Sequence, residues 1–154
     1  MGCGPISIVR YRDNPGPKEA SILGNKTLTV LLIEDNHDHA NLVLQWLSVG
    51  LQDMRFVVDR ADTLASGLSR LAQGGVDAIL LDLGLQASDG LATFVAVRAH
   101  ALAVPIIVLS GAESQFSAYL IPDGPQDYLV KRNCTAALLT GALRDATREA
   151  QLCG

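Results

Sequence analysis

The sequence has little charge and no excess of base: 18% of its 154 residues are Asp, Glu, Lys or Arg, and the formal net charge is −4. Nucleic-acid-binding domains normally carry a basic patch, so direct contact with DNA or RNA is not expected. Cysteine is scarce as well. Cys3, Cys134 and Cys153 are odd in number and far apart, which excludes a disulfide framework and a Cys-based metal spacing and suits free thiols in a reducing compartment. No apolar run reaches the roughly 20 residues of a membrane-spanning helix. The opening stretch, MGCGPISIVRYRDNPGPKEAS, lacks the continuous apolar segment of a secretory signal. Gly2 and Cys3 would suit a lipid anchor, but Ile6 stands where myristoylation needs Ser or Thr. A cytoplasmic protein with no membrane partner is expected.

What the sequence does have is apolar material, 49% of it, enough for one sizeable core in a chain of single-domain length. Residues 1–26 carry Pro5, Pro15, Gly16 and Pro17 and no sustained period. They read as an N-terminal extension or linker, with a short strand near Ile6–Arg10 left open. Residues 27–154 then alternate in texture. Leu28–Ile33, Phe56–Val58, Asp77–Leu81, Val104–Leu109 and Tyr128–Val130 are short apolar runs of the kind found in strands buried on both faces. Between and after them, apolar residues recur at helical spacing over about 42–49, 63–73, 91–101 and 135–151, with a short helix expected over 113–120 before Pro122. Alternating strands and helices imply βαβ units, hence a doubly wound α/β fold with a five-stranded parallel sheet covered on both faces.

In such sheets ligands bind beyond the carboxyl ends of the strands, at the point where strand order reverses. The strand ends here carry Glu34-Asp35, Asp82, Ser110 and Lys131. Three carboxylates gathered at one edge repel one another unless a counter-charge joins them. A hard divalent cation with oxygen ligands meets that need, and Mg²⁺ fits better than zinc because neither His nor Cys stands at these positions. A carboxylate beside such a cation can act as nucleophile on a phosphoryl group. A metal, a Lys and a hydroxyl donor are what the charge developing on that group requires.

Four segments carry a family resemblance: LLIEDNHDHANLV, ILLDLGLQASDGL, VPIIVLSG and GPQDYLVK. In this order and spacing, the chain resembles the response regulator receiver domains of two-component signalling over roughly residues 28–151. The resemblance implies a CheY-like, flavodoxin-like fold of strand order 2-1-3-4-5. It implies that Asp82 accepts a phosphoryl group from a sensor histidine kinase or a phosphotransfer protein. Asp35 and Asp82 would bind Mg²⁺ directly and Glu34 largely through water, with the Gly84 carbonyl completing the protein ligands, and Ser110 and Lys131 would contact the phosphoryl oxygens. Ser110 and Tyr128 would form the switch that a downstream protein effector reads, with a homodimer left open. Such a domain is a phosphoacceptor rather than an enzyme.

The sequence also departs from the family pattern. Gln86 replaces the usual Pro, and Gly124-Pro125 replaces the usual Gly-Ala; with Pro122 this shortens or distorts the helix over 113–120, part of the family's output face. Gly84 and Ala112 have no side chain able to position an attacking water, so slow self-dephosphorylation is expected. His37 and His39 flank Asp38 and read as residues of an exposed first helical turn rather than metal ligands.

Other functions fit less well. A pseudo-receiver, an interaction module that is not phosphorylated, has no use for the intact strand-end set. A dehalogenase-type phosphatase needs a second acid where Gly84 stands. Dinucleotide binding needs a Gly-rich turn after the first strand, and a flavin site a hydroxyl-rich loop there; both are absent. The sequence stops just after the last expected helix, which leaves open a stand-alone receiver or a piece of a longer regulator.

Overall fold

A computed structural model of the chain describes residues 8–12, 26–49, 54–83, 90–110 and 127–153. Six strands are present among them: β1 (Ile8–Arg12), β2 (Lys26–Ile33), β3 (Met54–Ala61), β4 (Ala78–Asp82), β5 (Ile106–Ser110) and β6 (Asp127–Val130). The helices are α1 (His37–Val49), α2 (Leu64–Ala72), α3 (Gly90–His100) and α4 (Ala136–Cys153), with a 3₁₀ turn at Lys131–Asn133. The helix expected over 113–120, and with it Pro122, Gly124 and Pro125, lies outside the described residues.

The strands form one sheet in the order β1-β3-β2-β4-β5-β6. From β2 to β6 all pairing is parallel, and counted along the parallel strands the order is the expected 2-1-3-4-5. The physical reason is burial on both faces. Every residue of β4 and of β5 is buried, so no polar face demands the in-out alternation of an exposed antiparallel sheet. Leu28, Val30 and Leu32 pack with Ala40, Val43 and Leu47 of α1 and Leu139 and Leu143 of α4 on one face. Leu31, Ile33, Ile79 and Leu81 pack with Leu71 of α2 and Phe94 and Val97 of α3 on the other. Full burial of each large apolar side chain stabilises by roughly 1.5–3 kcal/mol, so the two layers fix the strand register at the site.

The extension contributes more than a linker. Ile8–Arg12 forms β1, two residues further along than the strand left open near Ile6–Arg10, and pairs antiparallel with β3 from Ile8 opposite Ala61 to Arg12 opposite Val57. Five residues of the extension thus cover what would otherwise be an open edge of the parallel sheet. The second parallel strand also extends beyond the expected Phe56–Val58 to Met54–Ala61.

Local chemistry sets the helix starts. Asn36 Oδ1 accepts from the His39 backbone N–H at 3.0 Å, the cap that starts α1 directly after the acidic pair. Thr63 and Ser66 make a reciprocal capping box at α2. After α2 the chain turns through Gly74 and Gly75, both at positive φ (77° and 80°), a conformation that costs glycine little and other residues more.

Candidate functional site

β2 leads through α1 to β3 on one side of it, and β3 leads through α2 back to β4 on the other side of β2, so the order reverses between the carboxyl ends of β2 and β4. Glu34 and Asp35 follow β2 there, and Asp82 is the last residue of β4. Oxygen atoms of these three carboxylates lie within 4.8 Å of one another. Glu34 and Asp82 are buried, at 0% and 3% exposure.

Lys131, at the end of β6, reaches across β5 into this cluster. Its Nζ donates to Glu34 Oε1 at 2.8 Å and lies 3.2 Å from Asp82 Oδ1. Glu34 Oε2 accepts from the Asn36 backbone N–H at 3.2 Å. Burial pushes the Glu34 carboxyl up to about 8, helped by a hydrogen bond to Asp82 and its charge and opposed by Lys131. Desolvation disfavours the ionised form, and a neighbouring carboxylate adds to that. Lys131 thus does not offset burial and the neighbouring carboxylate, and Glu34 is shifted toward its protonated form. All ligand atoms are hard oxygens, the donor set that Mg²⁺ and similar cations take. A divalent cation there would displace the Glu34 proton and neutralise the remaining carboxylates.

Ser110 ends β5, one register step beyond Leu109, which pairs with Asp82. It is 3% exposed and lies at the same sheet edge, one strand over. Tyr128 lies in β6 opposite Val108, but its side chain is outside the described set. Gly84, Gln86 and Ala112 also lie outside the described residues. The structure thus brings together Glu34, Asp35, Asp82 and Lys131 and puts Ser110 on the adjacent strand end.

Sequence reasoning missed two residues. Arg60, 8% exposed near the end of β3, donates from Nε and Nη2 to the Glu34 carbonyl at 3.2 and 3.1 Å. Its Nη1 lies 3.1 Å from His37 Nδ1. This fork clamps the loop that carries the acidic pair. Reading the second strand to its true end would have placed Arg60 opposite Leu32, two residues before Glu34. The other is His39, whose Nδ1 lies 2.8 Å from Lys131 Nζ. Both histidines sit on the exposed first turn as expected, and each Nδ1 faces a cationic side chain.

The sequence profile of the response regulator receiver domain matches residues 30–143. The chain belongs to the response regulator receiver domain family. It is 31% identical to the transcriptional regulatory protein QseB of Haemophilus influenzae over 105 residues, 68% of this chain and 46% of that protein. It is 35% identical to the transcriptional regulatory protein KdpE of Staphylococcus aureus over 103 residues, 66% of this chain and 42% of that one. The receiver thus spans under half the length of these relatives. In structure it is similar to a response regulator receiver domain protein of Clostridium thermocellum, with a TM-score of 0.70 and 20% identity over 82% of this chain and 99% of the other. That likeness speaks for the fold. The chemistry rests on the cluster itself. Among the described residues no helix is long and apolar enough to cross a membrane.

Proposed function

We propose that this receiver domain is a phosphorylation switch in which Asp82 takes a phosphoryl group from the phosphohistidine of a sensor kinase or phosphotransfer protein. The observation that carries this reading is the placement of Lys131 Nζ 2.8 Å from Glu34 and 3.2 Å from Asp82 within a cluster of three carboxylates. An Asp82 carboxylate oxygen attacks phosphorus, the phosphorus–nitrogen bond breaks, and the imidazole leaves with the bonding pair and takes up a proton. The product is an acyl phosphate on Asp82.

Each group has a role in that reading. Glu34, Asp35 and Asp82 would hold Mg²⁺, with the Gly84 carbonyl as a further ligand; the cation supplies charge stabilisation to the phosphoryl oxygens. Lys131 neutralises one phosphoryl oxygen, and Ser110 donates to another. The transferred group carries its charge on those oxygens, so positioned cations lower the barrier more than any proton transfer would. Drawing Ser110 toward the phosphoryl group, with Tyr128 following, would favour one of two conformations by no more than their difference in interaction energy. A downstream protein effector would read the favoured one. The domain, taken as residues 27–154, accepts and loses one group rather than turning over a substrate, and works in the cytoplasm.

Intact-mass spectrometry after incubation with Mg²⁺ and acetyl phosphate tests this, with EDTA and Asp82→Asn as controls. A single phosphoryl adduct that needs Mg²⁺ and is lost in Asp82→Asn is expected. No adduct in wild type, together with no binding of beryllofluoride, would leave the domain an unphosphorylated interaction module.

A further inference from the structure

We infer that His39 is a positioning residue for Lys131, an inference that rests on the phosphoacceptor reading above. An ammonium group has three N–H donors and no acceptor. Lys131 Nζ has three partners to match: Glu34 Oε1 at 2.8 Å, His39 Nδ1 at 2.8 Å and Asp82 Oδ1 at 3.2 Å. Since the ammonium can only donate, Nδ1 of His39 is the acceptor, and the ring proton of the neutral imidazole sits on Nε2.

The arrangement has a direction. Glu34 and Asp82 are buried, the Lys131 side chain is 13% exposed, and His39 is exposed. The imidazole therefore stands on the solvent side of the ammonium, where water would otherwise take the third donor. His39 is itself held, because its backbone N–H donates to Asn36 Oδ1 at 3.0 Å, in the loop that presents Asp35. Of the three contacts the one to Asp82 is the longest and involves a carboxylate oxygen of the phosphoacceptor. It is the contact that can pass to a phosphoryl oxygen while Glu34 and His39 keep the ammonium in place. A neutral acceptor suits this role, because it orients the cation without cancelling the charge the incoming group needs. Removing it frees Lys131 to swing toward water, away from Asp82.

The test compares His39→Leu, which removes the acceptor, with His39→Asn, whose Oδ1 takes nearly the place of Nδ1. Two readings are taken on the full chain. One is the rate of adduct formation from acetyl phosphate with Mg²⁺. The other is the side-chain ammonium resonance of Lys131, by NMR on metal-free protein labelled with ¹⁵N-lysine. Lys18, Lys26 and Lys131 are the only lysines, so Lys131→Arg assigns the signal. The expected result is a slow-exchanging Lys131 signal that survives in His39→Asn and is lost in His39→Leu. The adduct rate should fall by about tenfold in His39→Leu, in line with a lost hydrogen bond to a charged donor, and largely recover in His39→Asn. Wild-type rate and signal in His39→Leu, or an equal loss in both variants, would overturn the assignment. If wild type forms no adduct, the phosphoacceptor reading fails, and the ammonium signal still decides whether His39 holds Lys131.

Discussion

Two buried ion clusters flank β2 and β3, and they are built on opposite principles. In one, Arg70 Nε meets Asp59 Oδ2 at 2.7 Å and Nη1 donates to the Gly74 carbonyl at 2.6 Å. The Arg70 guanidinium thus ties a buried carboxylate of β3 to a backbone acceptor at the turn after α2. In the other, Lys131 meets Glu34 and Asp82 within a group of three carboxylates, while the Arg60 guanidinium is turned to the Glu34 carbonyl. The first cluster is complete as it stands and fastens α2 to β3. The second crowds buried carboxylates together, with burial and Asp82 both favouring the protonated form of Glu34, and is the place where a cation and then a phosphoryl group would be accommodated. The Arg70–Asp59 pair fastens the fold, whereas the carboxylate cluster is where the chemistry is proposed.

The sharpest way to break that contrast is to remove one cation from each. Arg70→Met removes the guanidinium that Asp59 meets at 2.7 Å and is expected to lower stability by roughly 3–5 kcal/mol, the usual cost of breaking a buried ion pair. Urea unfolding measures it, and the loss should be the same with EDTA or Mg²⁺. Lys131→Met should also destabilise the metal-free protein, but less, because Glu34 can stay protonated; Mg²⁺ should shrink its loss. If Mg²⁺ rescued Arg70→Met as well, the two clusters would not be independent.

The second prediction concerns pH. Glu34 holds its proton up to about 8 in the folded protein against an ordinary value of 4.5. Between those values the folded state binds a proton that the unfolded state has lost, so stability must fall as pH rises. The part of stability due to Glu34 is fully present below about 4.5 and gone above about 8. The total is on the order of a few kcal/mol. The difference between wild type and Glu34→Gln in urea unfolding with EDTA, scanned from acid to alkaline pH, isolates it from other titrations. Excess Mg²⁺ should flatten the curve, since the folded state then gives up the proton. A metal-free difference that rises with pH would mean that Glu34 is ionised and fully paired.

Much of the carboxylate cluster was legible in the sequence, and almost nothing of the Arg70–Asp59 pair. Glu34, Asp35, Asp82 and Lys131 each sit directly after or at the end of an apolar run, so strand order alone carries them to one edge. Ser110 follows from the same rule. Arg60 and His39 were hidden for different reasons. Arg60 lies two residues past Val58, where the apolar run stops although the strand continues to Ala61. His39 lies on an exposed helical turn, and its contact to Lys131 spans 92 residues, a distance no local pattern encodes. The Asp59–Arg70 pair was hidden because both residues look like ordinary solvated charges in sequence. β1 was half visible: its residues are suited to a strand, but only the open edge of β3 gives them a partner.

The smallest predicted effect is also the most direct test of the contrast, because it applies one chemical change to both clusters. Asp59→Asn and Asp82→Asn each replace a buried carboxylate by an amide of nearly the same shape. At Asp59 the change removes the charge that faces Arg70 and leaves a buried guanidinium uncompensated, so stability falls. At Asp82 it removes one of several crowded negative charges. Lys131 loses an ionic contact at 3.2 Å but keeps Glu34 and can still donate to the amide oxygen, while Glu34 is relieved of a neighbour that raises its proton affinity. Repulsion between charges a few ångströms apart is worth a few kcal/mol at an effective protein dielectric, less the part already silenced by the Glu34 proton. Asp82→Asn is therefore expected to stabilise the metal-free protein by about 1 kcal/mol. Mg²⁺ should remove that advantage, because the carboxylate it replaces is one the cation would use. Urea unfolding of the two variants side by side, with EDTA and with Mg²⁺, reads all four values. Opposite signs in EDTA would establish that one buried aspartate is there for the fold and the other against it. Equal losses would mean that the carboxylates at the strand ends are as well compensated as Asp59.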